Sequence, residues 1–145
     1  MAARHGHFAE AAAAEGLEVG ERSHWYNSRP AHEAAAWAAA NGKDEEFRKG
    51  VFRAYFVEDR NIGSADVLGE IATGVGLDPA DLRAALEQGR YREQIEQEYE
   101  EARQIGVTAV PTFVANRYAI VGAHPYESFV KLMETVGEEP RARAD

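Results

Sequence analysis

The chain contains no cysteine among its 145 residues. That absence excludes disulfides, a thiolate nucleophile and any cysteine-ligated metal site, and it leaves the redox compartment undecided. Long apolar runs are missing too, since nothing approaches the ~18 consecutive apolar residues of a membrane span. Residues 1–5 lead into no apolar signal core, so the expectation is a cytoplasmic protein with no membrane partner. Positive charge is scarce: 16 Lys and Arg stand against 25 Asp and Glu, a formal net charge of −9. Nucleic acid and anionic membrane both demand a dense basic surface, so neither is an expected partner. No Ser-His-Asp spacing, phosphate-binding glycine loop or carboxylate dyad stands out, and no cofactor is called for.

What is present is mostly helix. The length and a 45% hydrophobic content fit one globular domain able to bury a core. Residues 4–15 are alanine-rich and stop at Gly16, with Phe8 as the only large apolar side chain. A loop carrying Trp25 and Tyr26 leads to Asn27 or Ser28 as the cap of a helix with Pro30 in its first turn and Trp37 on an alanine face. Phe47, Val51, Phe52, Tyr55 and Phe56 recur at helical period from Asp44 onward, the best core helix by pattern. A polar loop over residues 58–63 follows. Next come a short helix with Val67, Leu68 and Ile71, and another opened by Asp78-Pro79 and carrying Leu82, Ala85 and Leu86. Residues 91–105 form a charged helix anchored by Tyr91, Ile95, Tyr99 and Ala102, and residues 125–136 a last helix with Phe129, Leu132 and Met133 on one face.

Only residues 106–121, Gly-Val-Thr-Ala-Val-Pro-Thr-Phe-Val-Ala-Asn-Arg-Tyr-Ala-Ile-Val, depart from this composition. Two β-branched and aromatic runs, Thr112 to Ala115 and Tyr118 to Val121, flank the turn pair Asn116-Arg117, the spacing of a tight hairpin. Pro111 stands at the mouth of the first strand. Proline cannot donate to a central ladder and is the residue for which a cis peptide costs little, so it marks either an edge or a specific task. A two-stranded sheet is marginal alone, and the outer edge of Thr112 to Val114 finds no further strand in the sequence.

The run from Gly106 to Val114, its continuation through Tyr118 to Val121, Gly122-Ala123-His124-Pro125, and the upstream segments Asn27-Ser28-Arg29-Pro30-Ala31-His32 and 47–56 together resemble the DsbA-like thioredoxin-fold family, specifically its FrnE-like branch. The similarity covers about residues 8–136. It implies an α+β, mostly helical chain with a partial DsbA-like fold: a helical insertion over 1–105 and a ββα half over 106–137, ahead of a tail over 138–145 that as a terminal segment is expected to be disordered. The family opens with a βαβ unit bearing a Cys-Pro-x-Cys site, to which nothing here corresponds. His124 replaces the glutamine commoner in the family. In thioredoxin-like proteins the position of Pro111 is a cis-proline facing the thiols, and the backbone at Val110 pairs with an extended substrate. The resemblance therefore implies Val110, Pro111 and Thr112 as substrate-binding residues and assigns no catalytic residue. The plainer alternative for Pro111 is a proline that merely ends the pairing of an edge strand.

A second cluster, Asn27, Arg29 and His32 with His24, Trp25 and Tyr26, would suit an aromatic or glutathione-like acid held through Arg29; a loop packed on the helical layer explains it more simply. His5 and His7, without acidic company, read as solvated, and no metal site is expected. The glutamates of 93–101, interleaved with arginines, read as a solvated helix face. Three function classes follow. One is an oxidoreductase-like chain, inactive alone or completed by a partner supplying the βαβ unit. Another is a glutathione-dependent relative similar to the 2-hydroxychromene-2-carboxylate isomerases. The third is a non-enzymatic dimeric binding module. The free edge of Thr112 to Val114 also predicts a homodimer with a sheet continuous across a two-fold axis, in which Pro111 is free to be trans.

Overall fold

The computed structural model describes residues 2–21 and 23–138; the tail expected to be disordered lies, from residue 139, outside them. The chain divides into two compact units, Met1–Glu96 and Gln97–Asp145. The first holds α1 (Ala2–Ala14), α2 (Arg29–Ala40), α3 (Asp44–Phe56), α4 (Ala65–Gly74), α5 (Pro79–Glu87) and the start of α6 (Arg92–Gln104). The second holds the rest of α6, β1 (Thr112–Ala115), β2 (Tyr118–Val121) and α7 (Tyr126–Thr135). No helix among the described residues is long and apolar enough to cross a membrane.

The centre of the first unit is α2 rather than α3. Helices α3, α4 and α5 all pack on it, and Ala31, Ala34, Ala35, Trp37 and Ala38 are buried. Alanine side chains let three neighbours approach one helix closely, and the single large residue, Trp37, fills the space between them. Its indole meets the ring of Phe47 edge to face at 6.4 Å. Phe47, Leu68 and Leu82 are the largest fully buried side chains, one each from α3, α4 and α5. The apolar face read for α3 is narrower than its pattern: Phe47, Val51 and Ala54 are buried, whereas Phe52 is 60% exposed. Ile62, placed by composition in a polar loop, belongs to the core. A lone apolar residue in a turn has no period to betray it.

Side chains lock the ends. Asn27 Oδ1 accepts the Arg29 N–H at 3.0 Å, fixing the entry to α2. Asp78 Oδ1 accepts from the Ala80 N–H at 2.9 Å, capping α5 as its Asp-Pro start implies. Arg29 pairs with Glu96, and Arg92 Nε lies 4.0 Å from the carboxylate of buried Glu33, so two ion pairs tie α2 to the opening turns of α6. Phe8 of α1 rests on Phe56, ring centroids 5.6 Å apart.

Asp81 is the one carboxylate coupled directly to the core aromatic. It accepts from Trp37 Nε1 at 2.7 Å and from Arg90 Nη1 at 2.8 Å. The indole bond first, and then the Arg90 bond and charge, hold this carboxyl below the usual carboxylate range. A group depressed in the folded state contributes stability above its unfolded value, about pH 4, and that contribution is lost as pH falls through the folded value. Thermal melts in acid should therefore fall more steeply for the native chain than for Asp81→Asn. Parallel curves would contradict the coupling.

Candidate functional site: the proline-led edge of the hairpin

β1 and β2 pair antiparallel in the register Thr112 with Val121, Phe113 with Ile120, Val114 with Ala119 and Ala115 with Tyr118. The strand limits are those read from the sequence. Asn116 supplies the turn with φ +54, a left-handed conformation that asparagine tolerates better than most residues. The Val110–Pro111 peptide is cis, so the trans form allowed for in a free-standing dimer is not the one adopted. Thr112 Oγ1 donates to the Ala109 carbonyl at 2.6 Å, and the Gly122 N–H donates to the Pro111 carbonyl at 2.8 Å.

That last bond determines what the edge offers. In an antiparallel ladder, directly opposed pairs alternate between hydrogen-bonded and non-bonded. Because Pro111 bonds to Gly122, the next bonded pairs are Phe113 with Ile120 and Ala115 with Tyr118. Thr112 and Val114 consequently turn their N–H and C=O groups away from β2. Among the described residues no backbone hydrogen bond reaches them from the other side.

The two faces of the hairpin differ as well. Side chains two apart share a face, so Phe113, Ala115, Tyr118 and Ile120 lie together, and the Phe113 ring meets Phe129 of α7 edge to face at 4.7 Å. On the opposite face, which half-buried Thr112 shares, Val114 is 50% and Val121 56% exposed and Ala119 is exposed, against 43% for Phe113 and 37% for Tyr118. Val110, just before the proline, is 88% exposed. Arg117 is the only charged residue between 107 and 123, so the edge and its open face are uncharged as well as apolar. Such an edge offers outward main-chain donors and acceptors of the kind an extended chain pairs with.

The other sequence candidates belong to the first unit. Asn27 spends its side-chain oxygen on the Arg29 backbone, and Arg29 is ion-paired with Glu96. His32 is exposed on α2. His24 stacks on Tyr26 at 6.0 Å, and its Nδ1 lies 2.7 Å from Ser23 Oγ. The open face formed by Val114, Ala119 and Val121 escaped the sequence reading. Both strands are apolar at nearly every position, so no alternation singles this face out, and the other face is itself part-exposed, Phe113 at 43% and Tyr118 at 37%.

A family model for the DSBA-like thioredoxin domain matches residues 3–134. The chain belongs to the DSBA-like thioredoxin domain family. YwbO of Bacillus subtilis (strain 168), itself described as uncharacterized, is 40% identical over 105 residues, covering 70% of this chain and 51% of YwbO. The crystal structure of a probable DsbA oxidoreductase from Streptomyces coelicolor matches with a TM-score of 0.82 and 31% identity, over 99% of this chain and 63% of its own. The chain thus spans about half the length of the curated relative and under two thirds of the solved one. The architecture is α+β and mostly helical, with the DsbA-like fold of this family, and the chain has no cysteine.

Proposed function

We propose that these 145 residues are the substrate-facing portion of an FrnE-like, DsbA-family thiol–disulfide oxidoreductase, inactive alone and completed by a segment outside them that carries the thiols. The observation that carries this reading is the uncharged edge at Thr112 and Val114, which opens directly after Val110-Pro111 and among the described residues has no strand against it. Disulfide exchange begins with attack of a thiolate on a disulfide sulfur, and the chain has no thiol to supply one. In this reading Val110, Pro111 and Thr112 hold the backbone of an extended substrate. Asn27 and Arg29 are bonded within the helical unit and His32 is exposed on it, and this reading assigns them no part in substrate binding.

An insulin-reduction assay with dithiothreitol tests it. The 145-residue chain alone should leave the uncatalysed rate unchanged, and addition of the cysteine-bearing portion of a family member should raise it. Acceleration by the chain alone would overturn the reading. A glutathione titration of the chain with an isomerisable chromene substrate should stay flat; turnover there would favour the isomerase-like alternative. Sedimentation of the chain alone reads out the homodimer reading, in which a second copy takes the same edge.

A further inference from the structure

We propose that the Thr112 hydroxyl is a positioning group: by holding the Ala109 carbonyl it fixes the main chain of Val110, and so sets how firmly this loop takes up an extended substrate. This rests on the reading above, in which Val110, Pro111 and Thr112 hold a substrate backbone, and it gives the Thr112 side chain a task of its own. Upstream of the ladder the chain has few attachments. The Val107 N–H closes the end of α6 on the Ala102 carbonyl, and the Gly122 N–H takes the Pro111 carbonyl at 2.8 Å. Between these points residues 108–110 make one hydrogen bond among the described residues, the 2.6 Å bond from Thr112 Oγ1 to the Ala109 carbonyl.

A side chain here replaces a main-chain donor. In a closed four-residue turn the N–H of the last residue donates to the carbonyl of the first, which over 109–112 would turn the Thr112 amide back into the loop. Pro111 has no N–H to offer instead. The hydroxyl, on a stem short enough to reach only local carbonyls, takes the Ala109 oxygen and leaves the Thr112 amide pointing away from β2. Val110 therefore sits between two fastened carbonyls, those of Ala109 and Pro111. Its side chain is 88% exposed, and its own N–H and C=O bond to nothing among the described residues. A peptide that bonds to those two groups finds them already aimed, so binding does not first have to order a loose loop.

A hydroxyl that merely stabilised the hairpin would act through the strand alone, and two variants separate the roles. Thr112→Val keeps the β-branched shape that suits the first position of β1 and deletes the bond. Thr112→Ser keeps the bond and deletes the methyl. Backbone amide relaxation and hydrogen exchange are measured on the 145-residue chain, which is then titrated with carboxamidomethylated insulin B chain, a peptide without free thiols. The Val110 amide should have an order parameter near the ~0.85 of rigid backbone in the native chain and in Thr112→Ser, and fall below about 0.6 in Thr112→Val. Phe113, bonded to β2, should be equally protected in all three. Thr112→Val should weaken peptide binding about fivefold, and Thr112→Ser by less than about twofold. An unchanged order parameter at Val110 in Thr112→Val overturns the inference, and the reading above then stands or falls on whether the native chain binds the peptide. Lost protection at Phe113 in Thr112→Val also overturns it, because the hydroxyl would then be a strand stabiliser. So does equal peptide affinity in the native chain and a loosened Thr112→Val. Loosening of Val110 by Thr112→Val in a chain that binds no peptide would retain the hold of Thr112 on Val110 and reject the substrate-facing reading.

Discussion

Trp37→Ala should lower the stability of the helical unit by about 3–5 kcal/mol, the range for deleting a buried large aromatic. Trp37 is 2% exposed and stands where α3 and α5 meet α2, against Phe47 on one side and Asp81 on the other. Its neighbours on α2 are alanines, whose side chains are too short to collapse into the space. Truncation therefore leaves a cavity and also strips Asp81 of its indole donor. With ordinary domains stable by only about 5–15 kcal/mol, such a loss moves the urea midpoint a long way. Trp37→Phe should cost less, since a ring still faces Phe47, while raising the Asp81 carboxyl toward its usual range. Trp25 is 75% exposed, so fluorescence from the two tryptophans separates core from surface during unfolding. A midpoint for Trp37→Ala within about 1 kcal/mol of the native chain would show that α2 is not the centre of the core.

Gly50→Ala should destabilise the same unit, against the sign that helix propensity gives. In an exposed helix, exchanging glycine for alanine gains about 1 kcal/mol. At Gly50, however, a Cβ would stand 2.7 Å from Cγ2 of Ile71, where α3 crosses α4. Ile71 is 9% exposed and β-branched in a helix, where one χ1 rotamer dominates, so its methyl has no easy way out. Overpacking of this kind costs about 1–3 kcal/mol and should exceed the propensity gain. The control is a double-mutant cycle: in an Ile71→Ala background the obstruction is gone, and Gly50→Ala should become stabilising by about 1 kcal/mol. Additive effects in the cycle would mean that the two helices do not meet through Gly50.

Elements with their own chemical signals were legible from the residues. The Asp78-Pro79 start of α5, the hairpin limits at Thr112, Ala115, Tyr118 and Val121, and α7 to within a residue at each end all coincide with the structure. Each depends on neighbours in sequence: a cap with a proline, a two-residue turn between β-branched runs, an apolar face at helical period. The pattern misled where burial depends on what arrives from elsewhere. Phe52 has the right period in α3 yet faces outward, Ile62 has no period and is buried, and an alanine-rich helix with little hydrophobic mass is the one that others surround. Small side chains contribute weakly to any apolar count, yet they permit close packing, and close packing is a property of neighbours.

The candidate site divides along the same line. The residues by themselves determined that no thiolate exists here, that residues 112–121 form the sheet and that a proline precedes it, because composition and turn chemistry are local. The structure shows that Thr112 and Val114, rather than Phe113 and Ala115, turn their main chain away from β2. The Gly122 bond to the Pro111 carbonyl shows the parity that the two-residue turn imposes on the ladder, and every outward group follows from it. Which face meets a helix was likewise decided by the tertiary structure: Phe129 of α7 takes the side of Phe113, and Val114 and Val121 on the other side are the more exposed.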